Sequence, residues 1–120
     1  MRNYKNLKIW QKGFKLAMDT YALSAELPSD ERFGLVSQIN RAAVSIPSNI
    51  AEGSARSTDK AYKQYLEIAL GSSFELETQL LIIKSLSLVD EERIDTLIGQ
   101  VVEEEKMLSS FLGKLTANSL

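Results

Sequence analysis

Apolar side chains recur every three or four residues along most of the chain, in four successive segments separated by short polar turns. This spacing places the apolar side chains of each segment on one face of an α-helix. The pattern predicts helices over residues 4–26, 30–52, 59–87 and 90–116. Because long helices joined by short turns pack as antiparallel neighbours, the sequence predicts one all-α domain over residues 1–120, an up-down-up-down four-helix bundle.

The second segment contains a proline within its helical pattern. The apolar spacing continues from Ile46 to Ile50 across Pro47. Proline has no backbone N–H and crowds the carbonyl group four residues earlier, here that of Ala43, which costs a helix interior about 3 kcal/mol. The sequence therefore predicts a second helix that is kinked near Pro47 and closed by Gly53, a residue type that often follows a helix.

The composition limits the possible functions. The net charge of −2 argues against a protein that mainly coats nucleic acid. The chain has neither histidine nor cysteine, so it lacks the commonest general base, the soft metal ligands and the thiol nucleophile. We therefore expect no catalytic residues, no metal site and no cofactor. Apolar runs are too short for a signal peptide or a membrane span, which predicts a cytoplasmic protein without a membrane partner.

The first helix carries two apolar stripes. The wider stripe, which we expect to face the core, consists of Leu7, Trp10, Phe14, Ala17, Met18 and Tyr21. The narrower stripe consists of Ile9, Leu16 and Leu23, which are seven residues apart. A helix that buries one face needs only one stripe, so the narrower one predicts an interface with another copy of the chain.

The second helix has a face of small residues. Ser45 and Ser48 lie on this face between Arg41 and Glu52. Small side chains allow another helix or subunit to approach closely, so the two serines are candidate interface residues. A solvent-exposed face that contains serines is the alternative. In the fourth helix, Glu104 occupies a position where an apolar residue is expected, which predicts an ion pair with a basic residue of a neighbouring helix, first of all Arg41.

Basic residues concentrate near the start of the chain, where no acidic residue precedes Asp19. Four lysines share one face of the first helix, and arginines elsewhere would extend a basic rim. The candidate nucleic-acid-binding residues are Arg2, Lys5, Lys8, Lys12, Lys15, Arg41 and Arg56. Such a row suits contacts with phosphate groups, whereas a solvated helix face is the alternative.

The enzymatic alternative is a metal-dependent nucleotide pyrophosphohydrolase. All-α bundles of this kind hold Mg²⁺ with carboxylates three residues apart on a helix, where both side chains reach one ion. Glu92 and Asp95 have this spacing, but no Glu-x-x-Glu pair lies on an interior face. The carboxylate motif is incomplete.

Three sequence motifs resemble one known family. They are Ser-Ile-Pro-Ser-Asn-Ile-Ala-Glu-Gly at 45–53, Leu-Lys-Ile-Trp-Gln-Lys at 7–12 and Tyr-Leu-Glu-Ile-Ala-Leu-Gly-Ser at 65–72. The chain resembles the four-helix-bundle proteins encoded within intervening sequences of bacterial 23S ribosomal RNA genes, densely over residues 4–88. The resemblance implies a bundle that assembles as a ring-shaped homopentamer. A similar fold occurs in accessory proteins of diversity-generating retroelements, which bind nucleic acid, although Asn40 replaces a basic residue usual in the family.

These features together predict a non-enzymatic, homo-oligomeric helical scaffold or binding module. Its expected partners are other copies of the chain, most naturally in a pentamer, and RNA or a nucleic-acid-associated protein.

Overall fold

The computed structural model describes residues 2–119 and contains four long α-helices. They are α1 (Lys8–Ser24), α2 (Ser37–Ser54), α3 (Asp59–Ser85) and α4 (Glu91–Ser119). Helix α2 packs against α1 and α3, and α4 packs against α3 and α1, so the helices form a closed ring around one core. Residues 2–119 contain no strand. The prediction of an all-α four-helix bundle is confirmed.

The first two helices begin later than the sequence predicts. A short 3₁₀ helix at Tyr4–Asn6 and an extended Leu7 precede α1. Before α2, the chain forms a 3₁₀ turn at Ser29–Glu31 and then a π-helical turn at Arg32–Val36. The π-helical turn contains Gly34, and glycine has a low helix propensity. The second predicted helix is therefore not a regular α-helix over its first turns, and α2 begins only at Ser37.

Pro47 and Gly53, the two unusual residues of the second segment, both lie inside α2. Pro47 is buried inside the helix, and the predicted kink at this residue stays a prediction. Gly53 does not follow the helix in a left-handed conformation, because it lies within α2 and has no positive φ. Its role is close packing: a Cβ atom there would lie 2.7 Å from Tyr65 Cβ and 3.0 Å from Tyr62 Cδ1 of α3.

Helix α1 turns its narrow stripe, rather than its wide one, toward the core. Leu16 and Leu23 are each 1% exposed and Ile9 is 4% exposed. Three side chains of the wide stripe stay exposed, at 50%, 59% and 51%: Phe14, Met18 and Tyr21. The other three, Leu7, Trp10 and Ala17, are partly buried against the core. The wide stripe is therefore split between core and surface, and the prediction that Ile9, Leu16 and Leu23 form an oligomer interface is wrong.

A small residue explains why α1 has this orientation. Gly13 is buried, and a Cβ atom there would lie 3.2 Å from Ile46 Cγ2 and 3.6 Å from the backbone nitrogen of Pro47. Close contact between α1 and α2 thus requires a residue without a side chain at this point.

The small-residue face of α2 packs against α3 of the same chain. The hydroxyl groups of Ser45 and Ser72 are hydrogen-bonded at 2.8 Å. Ser45 is therefore hydrogen-bonded within the bundle, whereas Ser48 is exposed, and the assignment of the two serines to an oligomer interface stays a prediction. The neighbouring Gly71 has open space where a side chain would be, so Ser72 rather than Gly71 makes the contact with α2.

Candidate functional site

The seven predicted basic residues do not form one surface, and Arg2 is already engaged with its own chain. Its guanidinium group donates to the carbonyl oxygen of Arg56 at 2.6 Å and to the Asp59 carboxylate at 2.9 Å. It also lies 4.4 Å from the centre of the Tyr62 ring. These contacts hold the guanidinium group against its own chain, so Arg2 ties the N-terminal segment to the α2–α3 connection and suits a phosphate contact poorly.

The two other arginines lie near the α2–α3 side of the bundle. The guanidinium group of Arg41 donates to the Gln38 side chain at 3.0 Å and lies 3.6 Å from the Glu75 carboxylate. Arg41 does not pair with Glu104, so that prediction is wrong. The guanidinium group of Arg56 lies 5.2 Å from the centre of the Tyr65 ring and is exposed.

The lysine row of α1 lies on the opposite side of this helix from its exposed aromatic residues, next to α4. Lys12 forms an ion pair with Glu103 of α4, and their hydrogen bond lowers the pKa of Glu103. Lys15 pairs with Asp19 one turn away. Lys8 is exposed, and so is Lys5, which lies in the 3₁₀ helix before α1. Two of the four lysines are therefore paired with carboxylates, which neutralise their charge.

A groove between α1 and α4 continues the positive surface; we name it the α1–α4 groove. Its volume is about 410 Å³. Its apolar lining consists of Leu7, Ile9, Met107 and Phe111, and its lysines are Lys8, Lys106 and Lys114. Sequence reasoning missed the two α4 lysines. They are eight residues apart, which places them near one face of the helix, and this spacing was the available signal.

Two apolar stripes remain on the outside of the bundle. The α1 outer stripe consists of Phe14, Met18 and Tyr21. The α3 outer stripe consists of Ile68, Phe74, Leu81 and Ile82, together with Leu86 directly after the helix, all about half exposed. Helices α1 and α3 are both neighbours of α2 and α4, so the two stripes lie on diagonally placed helices. Apolar patches on a protein surface commonly mark interaction sites.

Glu104 is a buried acid without a counter-charge. It is 1% exposed, and neither carboxyl oxygen has a hydrogen-bond partner in the described part of the chain. A Cβ atom on Gly13 would lie 2.9 Å from Glu104 Oε2, which shows how tightly α1 covers the carboxyl group. Burial raises the pKa of Glu104 to about 8, opposed by the weaker attraction of Lys12. The carboxyl group is therefore mainly neutral at pH 7.

A second acid on α4 meets an acid on α3. Burial raises the pKa of Glu105, and the neighbouring Glu77 carboxyl group raises it further through a hydrogen bond and charge repulsion. Two carboxyl groups in contact share a proton more easily than they both ionise. Within residues 2–119, no group of three or more acidic side chains is arranged to hold a metal ion.

The carboxylates of the enzymatic alternative lie on the surface. Asp95 accepts a hydrogen bond from the Lys84 ammonium group at 2.7 Å, and this contact raises the pKa of Lys84. Glu92 lies near Arg93 and Asp19 in a different, shallow cavity.

In the stretch from 2 to 119, no helix is both long and apolar enough to cross a lipid bilayer.

The fold and these surfaces define an all-α four-helix-bundle protein with a basic groove and exposed apolar stripes. A sequence profile described as 23S rRNA-intervening sequence protein matches residues 5–110. The chain belongs to this family, as the three sequence motifs predict, and the match extends into α4.

The same fold is found among solved structures. One of them is the crystal structure of a protein with unknown function from the S23 ribosomal protein family of Bacteroides thetaiotaomicron. The TM-score is 0.81 at 24% sequence identity, and the match covers 87% of this chain and 97% of the other. Comparison with curated proteins gives no significant match.

Proposed function

We propose that this protein is a non-enzymatic, cytoplasmic helical module that assembles with copies of itself and associates with RNA. The observation that carries the proposal is the α1 outer stripe, where Phe14, Met18 and Tyr21 are about half exposed although the bundle core is complete without them. A second copy of the chain is the simplest partner for such a stripe.

The free energy gained by burying one stripe is too small to offset the cost of association. Fully burying a large apolar side chain contributes about 1.5–3 kcal/mol, so covering the exposed halves of three contributes roughly 2–4 kcal/mol. Association costs about 4–15 kcal/mol in lost freedom of motion. The five side chains of the α3 outer stripe add roughly 4–7 kcal/mol by the same reasoning. We therefore infer that both stripes are covered in the assembly.

The positions of the stripes favour a ring. If the α1 outer stripe of one copy packs against the α3 outer stripe of the next, the contact joins two different surfaces. Contacts of this head-to-tail type generate rings when the rotation between copies closes. The pentamer that the family resemblance implies is one such ring.

Two adjacent substitutions test the assembly. Tyr21→Glu adds a charge to the α1 outer stripe, whereas Ala22→Glu adds the same charge one residue away, near Arg93 of α4. We expect Tyr21→Glu to lower the mass measured by light scattering and Ala22→Glu to leave it unchanged, with circular dichroism showing equal helix content. Equal masses for both variants and the unmodified chain would contradict the assignment of the stripe.

The association with RNA is supported by the lysines beside α4 and by the family description. Lysines that contact phosphate groups release bound counterions, so the affinity falls as the salt concentration rises. We expect RNA binding whose logarithm declines linearly with the logarithm of the salt concentration. Binding without any dependence on salt would contradict contacts with phosphate.

Nucleotide turnover with Mg²⁺ at micromolar protein concentration would instead support the enzymatic alternative.

A further inference from the structure

We propose that the α1–α4 groove binds an unpaired segment of single-stranded RNA, with phosphate groups on its lysines and a base against Phe111. This inference rests on the proposed association with RNA and goes further, because it names the strand type and the place where it binds.

The charge of the groove comes from both of its walls. Lys8 belongs to α1, whereas Lys106 and Lys114 belong to α4. The one acid in the lining, Glu103, is already paired with Lys12. The groove is therefore locally positive in a chain whose net charge is −2. This arrangement suits a polyanion that runs between the two helices.

The apolar floor of the groove suits a nucleic acid base better than a phosphate group alone. Phe111 is partly buried, and its ring meets the Tyr62 ring edge-on at 5.9 Å between centroids, which restricts its orientation. Leu7, Ile9 and Met107 complete an apolar surface. Phosphate groups need only the lysines, whereas a base gains from stacking on an aromatic ring in a basic groove.

The dimensions favour an unpaired strand. The volume of about 410 Å³ lies in the range of pockets that hold small organic ligands, which suits a base with its ribose. In a duplex, the bases are stacked and paired, so they cannot enter such a groove without being unpaired. An acidic peptide matches the lysines but makes no specific use of the aromatic floor.

The experiment measures the affinity of the full chain for a labelled oligouridylate of about 12 nucleotides by fluorescence anisotropy at several salt concentrations. Lys8→Gln and Lys114→Gln remove charge from the two walls, and Lys60→Gln removes the same charge from an exposed position of α3. Each groove variant should weaken binding by about 3- to 10-fold and reduce the salt slope by about 0.7. Lys60→Gln should change the affinity by less than about 2-fold.

Phe111→Leu tests the base contact, because it removes the ring and keeps an apolar side chain in the core. It should weaken binding by about 10-fold with an unchanged salt slope. Thermal unfolding by circular dichroism establishes that this variant is folded, and the surface lysine variants test the groove independently of it. A duplex RNA of the same length should bind at least about 10-fold more weakly than the single strand.

Each contrary result has a distinct meaning. If the unmodified chain binds no RNA, the proposed function itself fails. If RNA binds but the groove variants behave like Lys60→Gln, the association stands and the groove assignment is overturned. Equal binding of duplex and single strand overturns the base contact. If a polyglutamate peptide binds as tightly as the RNA and Phe111→Leu has no effect, the groove takes an acidic peptide instead.

Discussion

The buried carboxyl group of Glu104 gives the most distinctive prediction. Replacing it in Glu104→Gln keeps the shape and polarity of the side chain but removes its ability to ionise. The charged groups that affect Glu104 are Lys12 of α1 and Glu103 of its own helix, while α2 contributes the uncharged Ile46 and Pro47 nearby. The variant therefore isolates one ionisation in the core.

The direction and size of the effect follow from the pKa. The unfolded chain releases the proton near pH 4.5, whereas the folded chain keeps it up to about pH 8. Between these values the folded state binds more protons, so the free energy of unfolding falls as the pH rises. At 1.36 kcal/mol for each pKa unit, the full loss above pH 8 is roughly 5 kcal/mol.

Urea denaturation, followed by circular dichroism at one protein concentration, measures this loss. We expect the stability of Glu104→Gln relative to the unmodified chain to increase by roughly 4 kcal/mol between pH 5 and pH 9. The control is Glu103→Gln, because the Lys12 contact lowers the pKa of this exposed neighbour. A stability difference between Glu104→Gln and the unmodified chain that stays constant over the same pH range would refute the buried, neutral carboxyl group.

Three further predictions concern packing and capping, each measured by urea denaturation. Gly13→Ala should destabilise the chain by about 1–3 kcal/mol because its Cβ atom would lie 3.2 Å from Ile46 Cγ2 and crowd α2, whereas Gly71→Ala should stabilise it by about 0.5–1 kcal/mol. Equal effects would contradict the close α1–α2 contact. Leu16→Ala should cost about 2–5 kcal/mol, and a cost no larger than that of Phe14→Ala would contradict its place in the core. Thr58→Ala should cost about 1 kcal/mol, and no loss would contradict its cap on α3.

The sequence predicts the fold class well because the apolar period is strong in all four helices. The cap of α3 is local as well: Thr58 Oγ1 accepts a hydrogen bond from the Ala61 backbone N–H at 3.1 Å, and threonine is a preferred N-cap residue. Both features depend on residues close together in the chain. Local sequence patterns carry such information directly.

The orientation of α1 could not be predicted in the same way. Its wide stripe has more apolar side chains than its narrow stripe, and periodicity alone favours the wide one for the core. The choice depends instead on Gly13, whose missing side chain allows α2 to approach. This contact joins residues more than thirty positions apart, so no local pattern reveals it.

The basic surface could likewise be predicted only in part from the sequence. The α1 lysines are visible as a row in the sequence, but only the packing of α4 against α1 brings Lys106 and Lys114 next to Lys8. The internal contacts of Arg2 likewise depend on how the first residues meet the α2–α3 connection.

In the proposed assembly, copies of the chain cover each other's apolar stripes. Sedimentation equilibrium of the unmodified protein over a wide concentration range tests this claim directly. It should give a mass several times the 13.4 kDa of one chain, and a pentamer would give about five times that value. A mass of 13.4 kDa at every concentration would contradict it.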